Sequence, residues 1–292
     1  MSALVLKIIL VVTMTLDHVA LVFLDRGSTL YSWLRLFGRP ALPIACFLLA
    51  EGFARTSSRK KYILRVFITA LVAELFWFYL GSMQRLEAIN NVKAAYNAAG
   101  GDTKFGEDGL NTWFESLPQA DQVEYTGWVI AVLNVLFTFT VCMLMLLAVR
   151  KIKEHFVELR AKQMFHNLGY LCSMGGTIMA TILLCMLSPL SMDYAVEAPM
   201  IVLICYLFRE EKKTMGIMLT VLTLFMATTS IFYALATLLG VVCVFLYDGT
   251  LGYDKGKHPI VRTLFYAYYP LHLAILVESR YFHEIFGNFF GK

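Results

Sequence analysis

A chain of 292 residues in which 59% are apolar or aromatic, only 16% are charged and the mean hydropathy is +0.65 carries more apolar surface than a soluble core can bury. Its net charge of +4 comes from cations spread over the polar stretches rather than from a basic tract, which excludes a nucleic-acid surface. The six cysteines stand singly within apolar stretches, without a C-x-x-C pair, so neither a disulfide framework nor a thiolate zinc site is expected.

A helix needs roughly 20 apolar residues to cross a bilayer core. Runs of about that length predict an all-α polytopic membrane bundle of about nine spans (8–11), near 4–24, 40–55, 62–81, 126–149, 167–188, 192–208, 214–230, 231–247 and 262–283. The first contains Asp17 and His18 and lacks a small-residue cleavage site, so it reads as a retained helix. The run from Met192 opens with Asp193, Glu197 and Pro199 and is short enough to be broken or re-entrant. Thr214 to Tyr247 could equally form one long tilted helix. The whole chain, 1–292, is expected to be a single membrane domain, interrupted by a polar insert at 82–125 between the third and fourth spans.

Lys and Arg set the orientation, because cytoplasmic loops carry their excess. With the N-terminus inside, fifteen cations lie in cytoplasmic loops (the clusters around Arg59, Lys151, Lys212 and Lys255) against eight on the other side. The C-terminus and the polar insert then fall outside the cell. Such an insert is a partly ordered loop or, functionally, a lid or acceptor-binding cap.

Ionisable groups within apolar runs are expensive and usually face a cavity or a partner. Asp17 and His18 are neighbours, about 100° apart on a helix, and a His beside a carboxylate suits a general base. The alternative is an Asp in an ion pair and a His that satisfies a carbonyl. Arg35 and Arg39 lie one turn apart, as do Lys61 and Arg65, so each pair presents two anion-binding groups on one face. Glu51 and Arg55 suit a structural i, i+4 ion pair. Asn134 and Asp193 fall in later spans, while Tyr268 and His272 stand at i, i+4 in the last span, on either side of Pro270. No G-x-S-x-G elbow, H-E-x-x-H pair or Walker loop is present.

Taken in order, several segments resemble the TraX family, named for a membrane enzyme that acetylates the N-terminus of a conjugative pilin. They are Thr15-Leu16-Asp17-His18, Phe37-Gly38-Arg39-Pro40-Ala41-Leu42-Pro43, Phe47-Leu48-Leu49-Ala50-Glu51-Gly52-Phe53, Lys61-Tyr62-Ile63-Leu64-Arg65, Asn134-Val135-Leu136-Phe137-Thr138, Asp193-Tyr194 and Phe265 to Leu273. That family looks related to the acyltransferase-3 class, in which a His near the outer end of the first helix is catalytic and early arginines hold coenzyme A. The resemblance places these roles on His18 and Arg65. The insert after Gly81 and the Arg39-Pro40 step depart from the usual pattern, so acetyl transfer is implied more strongly than a pilin acceptor.

The expected function is that of an acetyl-CoA-dependent acetyltransferase of the cell membrane. His18, oriented by Asp17, would take a proton from an amine or hydroxyl of a peptide N-terminus, glycan or lipid-linked acceptor. Arg39 would hold the thioester oxyanion or the acceptor. Arg65, Lys61, Tyr62 and Arg35 would serve the coenzyme, and Glu51, Asn134, Asp193, Tyr268 and His272 the acceptor. No metal is expected, and self-association is left open. The rival is a proton-coupled secondary transporter, which would be expected to show two related halves; none is evident.

Overall fold

Apolar residues on every side of a helix mark an element with one face against protein and the other against lipid. α1 (Ala3–Phe23) shows this: Leu6 and Leu10 are buried while Ile8 and Val12, half a turn away, are exposed. In the computed structural model, which describes residues 1–25, 27–98, 115–116, 133–159, 166–187, 192–226, 231–254 and 260–290, the same pattern recurs in helix after helix. Phe225, Phe232, Leu171 and Ile217 are among the exposed apolar side chains, an arrangement suited to hydrocarbon rather than water.

The other helices are α2 (Thr29–Gly38), α3 (Ala41–Arg55), α4 (Arg59–Ala98), α5 (Val135–Leu159), α6 (His166–Leu187), α7 (Glu197–Leu207), α8 (Lys212–Phe225), α9 (Ile231–Phe245) and α10 (Ile260–Phe290). Among the described residues five stretches are long and apolar enough to cross a membrane: α1, the α2–α3 pair over Thr29–Arg55, α4, Val135–Phe156 and Gly169–Met186. α7 and α9 are apolar but shorter. The protein is an all-helical, multi-pass membrane protein. Among the described residues the extended backbone is limited to one bridge, between Leu133 and Met192.

Several boundaries differ from the sequence expectation, three of them for a clear local reason. α2 precedes the expected span at 40–55; with only 10 residues and with Arg35 and Ser32 in it, it falls below the length criterion, yet Ser28 caps it by accepting from the Tyr31 amide at 3.1 Å. α4 does not end near residue 81 but continues to Ala98, because Ala88, Ala94, Ala95 and Ala98, with Gln84, Arg85, Leu86, Glu87 and Lys93 among them, favour helix. The helix expected over 192–208 begins only at Glu197; Tyr194 turns the chain with φ 54, in the left-handed region. The long run from Thr214 is two helices, α8 and α9, and the residues between them, 227–230, lie outside the described ones.

The chain forms two compact units, Met1–Glu74 with Val132–Lys292, and Leu75–Ala131. In the smaller unit, Leu80, Ala88 and Val92 are buried at helical spacings that share one face. Most of the insert expected at 82–125 lies beyond Ala98 and, apart from residues 115–116, outside the described residues.

At the centre of the larger unit α3 packs on α1, α5, α7 and α9, burying Ile44, Cys46, Phe47 and Phe53 against Met143, Leu146 and Val202. The close approach of α9 depends on Gly240. A Cβ there would lie 2.6 Å from the Pro40 carbonyl oxygen and 2.6 Å from Pro43 Cγ. Because the nearest atom is backbone, Gly240→Ala is expected to force α9 off α3 and to destabilise the purified protein by about 1–3 kcal/mol, read from its unfolding in detergent.

One end of the bundle sews the start of α1 to the segment that follows α9. The Ala3 and Leu4 amides donate to the Thr250 and Leu251 carbonyls at 2.9 and 3.0 Å, and Gly252, with φ +77, makes room for Ser2. α1 and α10 pack side by side, with Lys7 of α1 against the Phe265 ring of α10. At about 1.5 Å per residue, His18 and His272 arrive at similar depth.

Candidate functional site

His18 on α1 and His272 on α10 meet with Nδ1 of His18 2.7 Å from Nε2 of His272. Their rings stack, with centroids 4.9 Å apart and an interplanar angle of 20°. Both side chains are shut away from the surroundings, with 8% and 5% of their area exposed, so proton traffic at this pair does not compete with bulk water.

The hydrogen-bond network fixes which nitrogen is which. Nδ1 of His272 lies 3.0 Å from the Tyr268 carbonyl oxygen, which can only accept, so that nitrogen carries a proton. In a neutral imidazole the other nitrogen then accepts. His272 Nε2 therefore takes the hydrogen bond from His18 Nδ1–H, and the basic lone pair of His18 is on Nε2. Tyr268 is itself anchored: its ring stacks on His272 at 5.1 Å and 4°, and its hydroxyl bonds Thr15 Oγ1. Since Thr15 donates its own proton to the Val11 carbonyl at 2.6 Å, the Tyr268 hydroxyl is the donor. Tyr269 closes the group edge-on to both imidazoles, 6.1 Å from His18 and 5.4 Å from His272.

Beside the pair lies a cluster of charges. Asp17 and Arg35 form a salt bridge, with 15% and 19% of their side chains exposed. Room for it is made by Gly38 on α2, where a Cβ would lie 2.5 Å from Asp17 Cβ and 2.7 Å from its Cγ. Arg35 also acts electrostatically on His18, Asp193 and Tyr194, whereas Arg39 acts on Asp17 and Tyr194. The carboxylate expected to hold the His18 ring is thus engaged with Arg35, and the ring's nitrogen partner is His272.

Asp193 reaches the cluster from the turn before α7. Its amide donates to the Leu133 carbonyl at 3.1 Å, and its carbonyl accepts from Thr138 Oγ1 at 2.6 Å. Asn134, fully buried, ties the start of α5 to α4. Its Nδ2 donates to Ala70 O at 3.0 Å and Glu74 Oε2 at 2.6 Å, while its Oδ1 accepts from the Leu136 amide at 3.0 Å, capping α5.

The remaining expected site residues lie toward the end where α1 begins. Glu51 is paired with Arg55 and stands 3.7 Å from Arg209. Tyr62 packs its phenol against Gly52. Lys61 is exposed, and its carbonyl accepts from Arg65 Nε at 3.1 Å; the Arg65 guanidinium sits 5.9 Å from the Tyr266 ring. Near that end Lys7 lies 4.9 Å from the Phe265 ring. From Phe265 to His272 along α10 is about 10 Å.

The structure therefore brings together Asp17, His18, Arg35, Asp193, Tyr268 and His272, with Arg39 bordering them, and separates them from Glu51, Lys61, Tyr62 and Arg65. Sequence reasoning gave no site role to Thr15, Gly38, Tyr194 or Tyr269. The positive φ of Tyr194 has no signal in its sequence, but Gly38 and Thr15 lie within the segments that carry the family resemblance.

Residues 2–94 and 123–279 match the family model described as TraX protein, and every residue of the cluster falls inside those limits. A probable fimbrial assembly protein, FimC of serogroup H1, from Dichelobacter nodosus is 38% identical over 87 residues, which are 30% of this chain and 36% of that protein. The chain thus matches just over a third of the length of that curated relative. No solved structure matches significantly. With most of its length matched by the one model, this membrane protein belongs to the TraX family.

Proposed function

We propose that the protein is an acetyltransferase of the cell membrane that uses acetyl-CoA and moves the acetyl group to an amine or hydroxyl. The observation that carries the reading is the buried His18–His272 pair, whose hydrogen bonds leave the basic nitrogen of His18 on Nε2. Family membership supports it, since the resemblance implies acetyl transfer more strongly than any one acceptor.

In this reading the acceptor's nitrogen or oxygen attacks the thioester carbonyl carbon while His18 Nε2 takes its proton. The positive charge that forms spreads toward His272 through the Nδ1–H hydrogen bond, which strengthens as it becomes charge-assisted. The tetrahedral oxyanion forms within reach of the Arg35 field, and a fixed cation in a site closed to water stabilises it more than one in solution would. Collapse breaks the carbon–sulfur bond. The departing thiolate recovers the proton from His18, giving acetylated acceptor and free coenzyme A. Asp17 serves by holding Arg35 in place.

The coenzyme enters from the end that carries Lys61, Arg65 and Lys7, where its phosphates meet cations, and its thioester reaches inward along α10 toward His18. That end faces the cytoplasm in this reading, which the excess of Lys and Arg in its loops supports, and the acceptor comes from the other side.

The test is to incubate the purified full chain with acetyl-CoA and follow free coenzyme A with and without amine and hydroxyl acceptors, peptides among them. Acceptor-dependent release together with a product heavier by one acetyl group is the expected result. No release with any peptide, amino sugar or glycan would overturn the reading.

A further inference from the structure

Arg39 stands where the α2–α3 segment steps. Its backbone and that of Pro40 stay in the α region, but neither Pro40 nor Pro43 has an N–H, so the helical ladder is interrupted beside it. The step is pinned on both flanks by approaches that admit no side chain, Gly38 on Asp17 of α1 and Gly240 of α9 on the Pro40 carbonyl. The Arg39 backbone is thereby held in place, and its guanidinium lies over the Tyr233 ring, with Cζ 4.7 Å from the ring centroid.

Four other arginines are ion-paired, whereas Arg39 has no acid of its own. Arg35 has Asp17, Arg55 has Glu51, Arg150 has Glu154 and Arg209 has Glu51 and Glu210. Among the described residues the Arg39 side chain makes no hydrogen bond or ion pair, and its Nε is closed off from the surroundings without a partner. Asp17 is bound to Arg35 and reaches Arg39 only through space. The Tyr233 face attracts the charge but offers the planar N–H fork no acceptor. A fixed guanidinium with unused donors, inside a bundle and next to the reacting pair, is a site whose missing part is an anion.

We infer that Arg39, backed by Tyr233, binds an anionic group of the acceptor, a carboxylate or a phosphate set apart from the atom that is acetylated. The inference rests on the transferase reading and names the acceptor class for it. The donor's phosphates have cations of their own at the opposite end of α1, whereas Arg39 adjoins Asp17, at the level of the His pair. A bidentate oxyanion on the fork would fix one end of the acceptor and so set which nucleophilic atom lies at His18. Neutral acceptors lack that anchor.

The experiment is arginine-by-arginine labelling of the detergent-solubilised full chain with phenylglyoxal, read by mass spectrometry, at one ionic strength in chloride, acetate or inorganic phosphate. Saturating acetate or phosphate is expected to slow labelling of Arg39 by about tenfold or more relative to chloride, the equivalent of one charge-assisted hydrogen bond. Labelling of Arg55 and Arg150 should not change. Stronger protection by acetate identifies a carboxylate subsite, stronger protection by phosphate a phosphate one. Equal labelling of Arg39 in all three salts, or equal protection at Arg55, overturns the inference. Because labelling needs no turnover, loss of the site and failure of the transferase reading give different results. In the transfer assay, Arg39→Lys should raise KM for an amine that carries a carboxylate more than for its methyl ester; equal increases for both would also overturn it.

Discussion

Replacing His18 by alanine is expected to lower acetyl transfer by about 10² to 10⁴ while leaving a folded protein that still binds coenzyme A. The loss is large because Nε2 of His18 is the nitrogen that the hydrogen-bond network leaves basic. The fold survives because His272 keeps its bond to the Tyr268 carbonyl, and Tyr268 its stacking, without help from His18. Replacing His272 should cost less, since the base itself remains, but the two substitutions that test it should differ. Glutamine offers an oxygen that accepts from His18 Nδ1–H and should restore more activity than alanine, which offers none. Coenzyme A release gives the rates, and coenzyme-dependent thermal stabilisation reports binding. Undiminished transfer by His18→Ala would remove the histidine mechanism, and equal rates for the two His272 variants would remove the positioning role of that ring.

Much of the architecture was legible because membrane helices announce themselves locally, through length and apolarity. The site was legible only in part. Tyr268 and His272, at i, i+4 on one helix, could be linked from sequence; the bond from His272 to His18 joins residues 254 positions apart and could not. Asp17 looked like the natural partner of His18 because it adjoins it in the chain, but adjacent helical residues point about 100° apart, and Asp17 turns instead to Arg35 on α2. α2 itself was missed because a helix of 10 residues with an Arg in it carries no span signal. Asn134 illustrates the converse: a buried amide in an apolar run suggested substrate contact, and only the placement of Glu74 and Ala70 shows that its donors are already taken.

Removing one member of the Asp17–Arg35 pair should be far worse than removing both. With both side chains mostly buried, Arg35→Ala leaves the Asp17 carboxylate facing Gly38 and the Arg39 field without a contact partner. Asp17→Ala leaves the guanidinium among Asp193, Tyr31 and Tyr194 without its salt bridge. Each single change is expected to cost about 3–5 kcal/mol, chiefly from the uncompensated charge that remains. The double variant, Asp17→Ala with Arg35→Ala, has no stranded charge from the pair, so its loss should fall well short of the sum of the two. Unfolding of the detergent-solubilised variants measures all three corners of the cycle. The outcome also separates two roles for Asp17. If it acts only by holding Arg35, the double variant should transfer acetyl no more slowly than Arg35→Ala alone; if it acts on His18 directly, adding Asp17→Ala should slow the reaction further. Additive stabilities across the cycle would mean that the two charges are each satisfied elsewhere in the cluster, and that the pair does not hold α2 against α1.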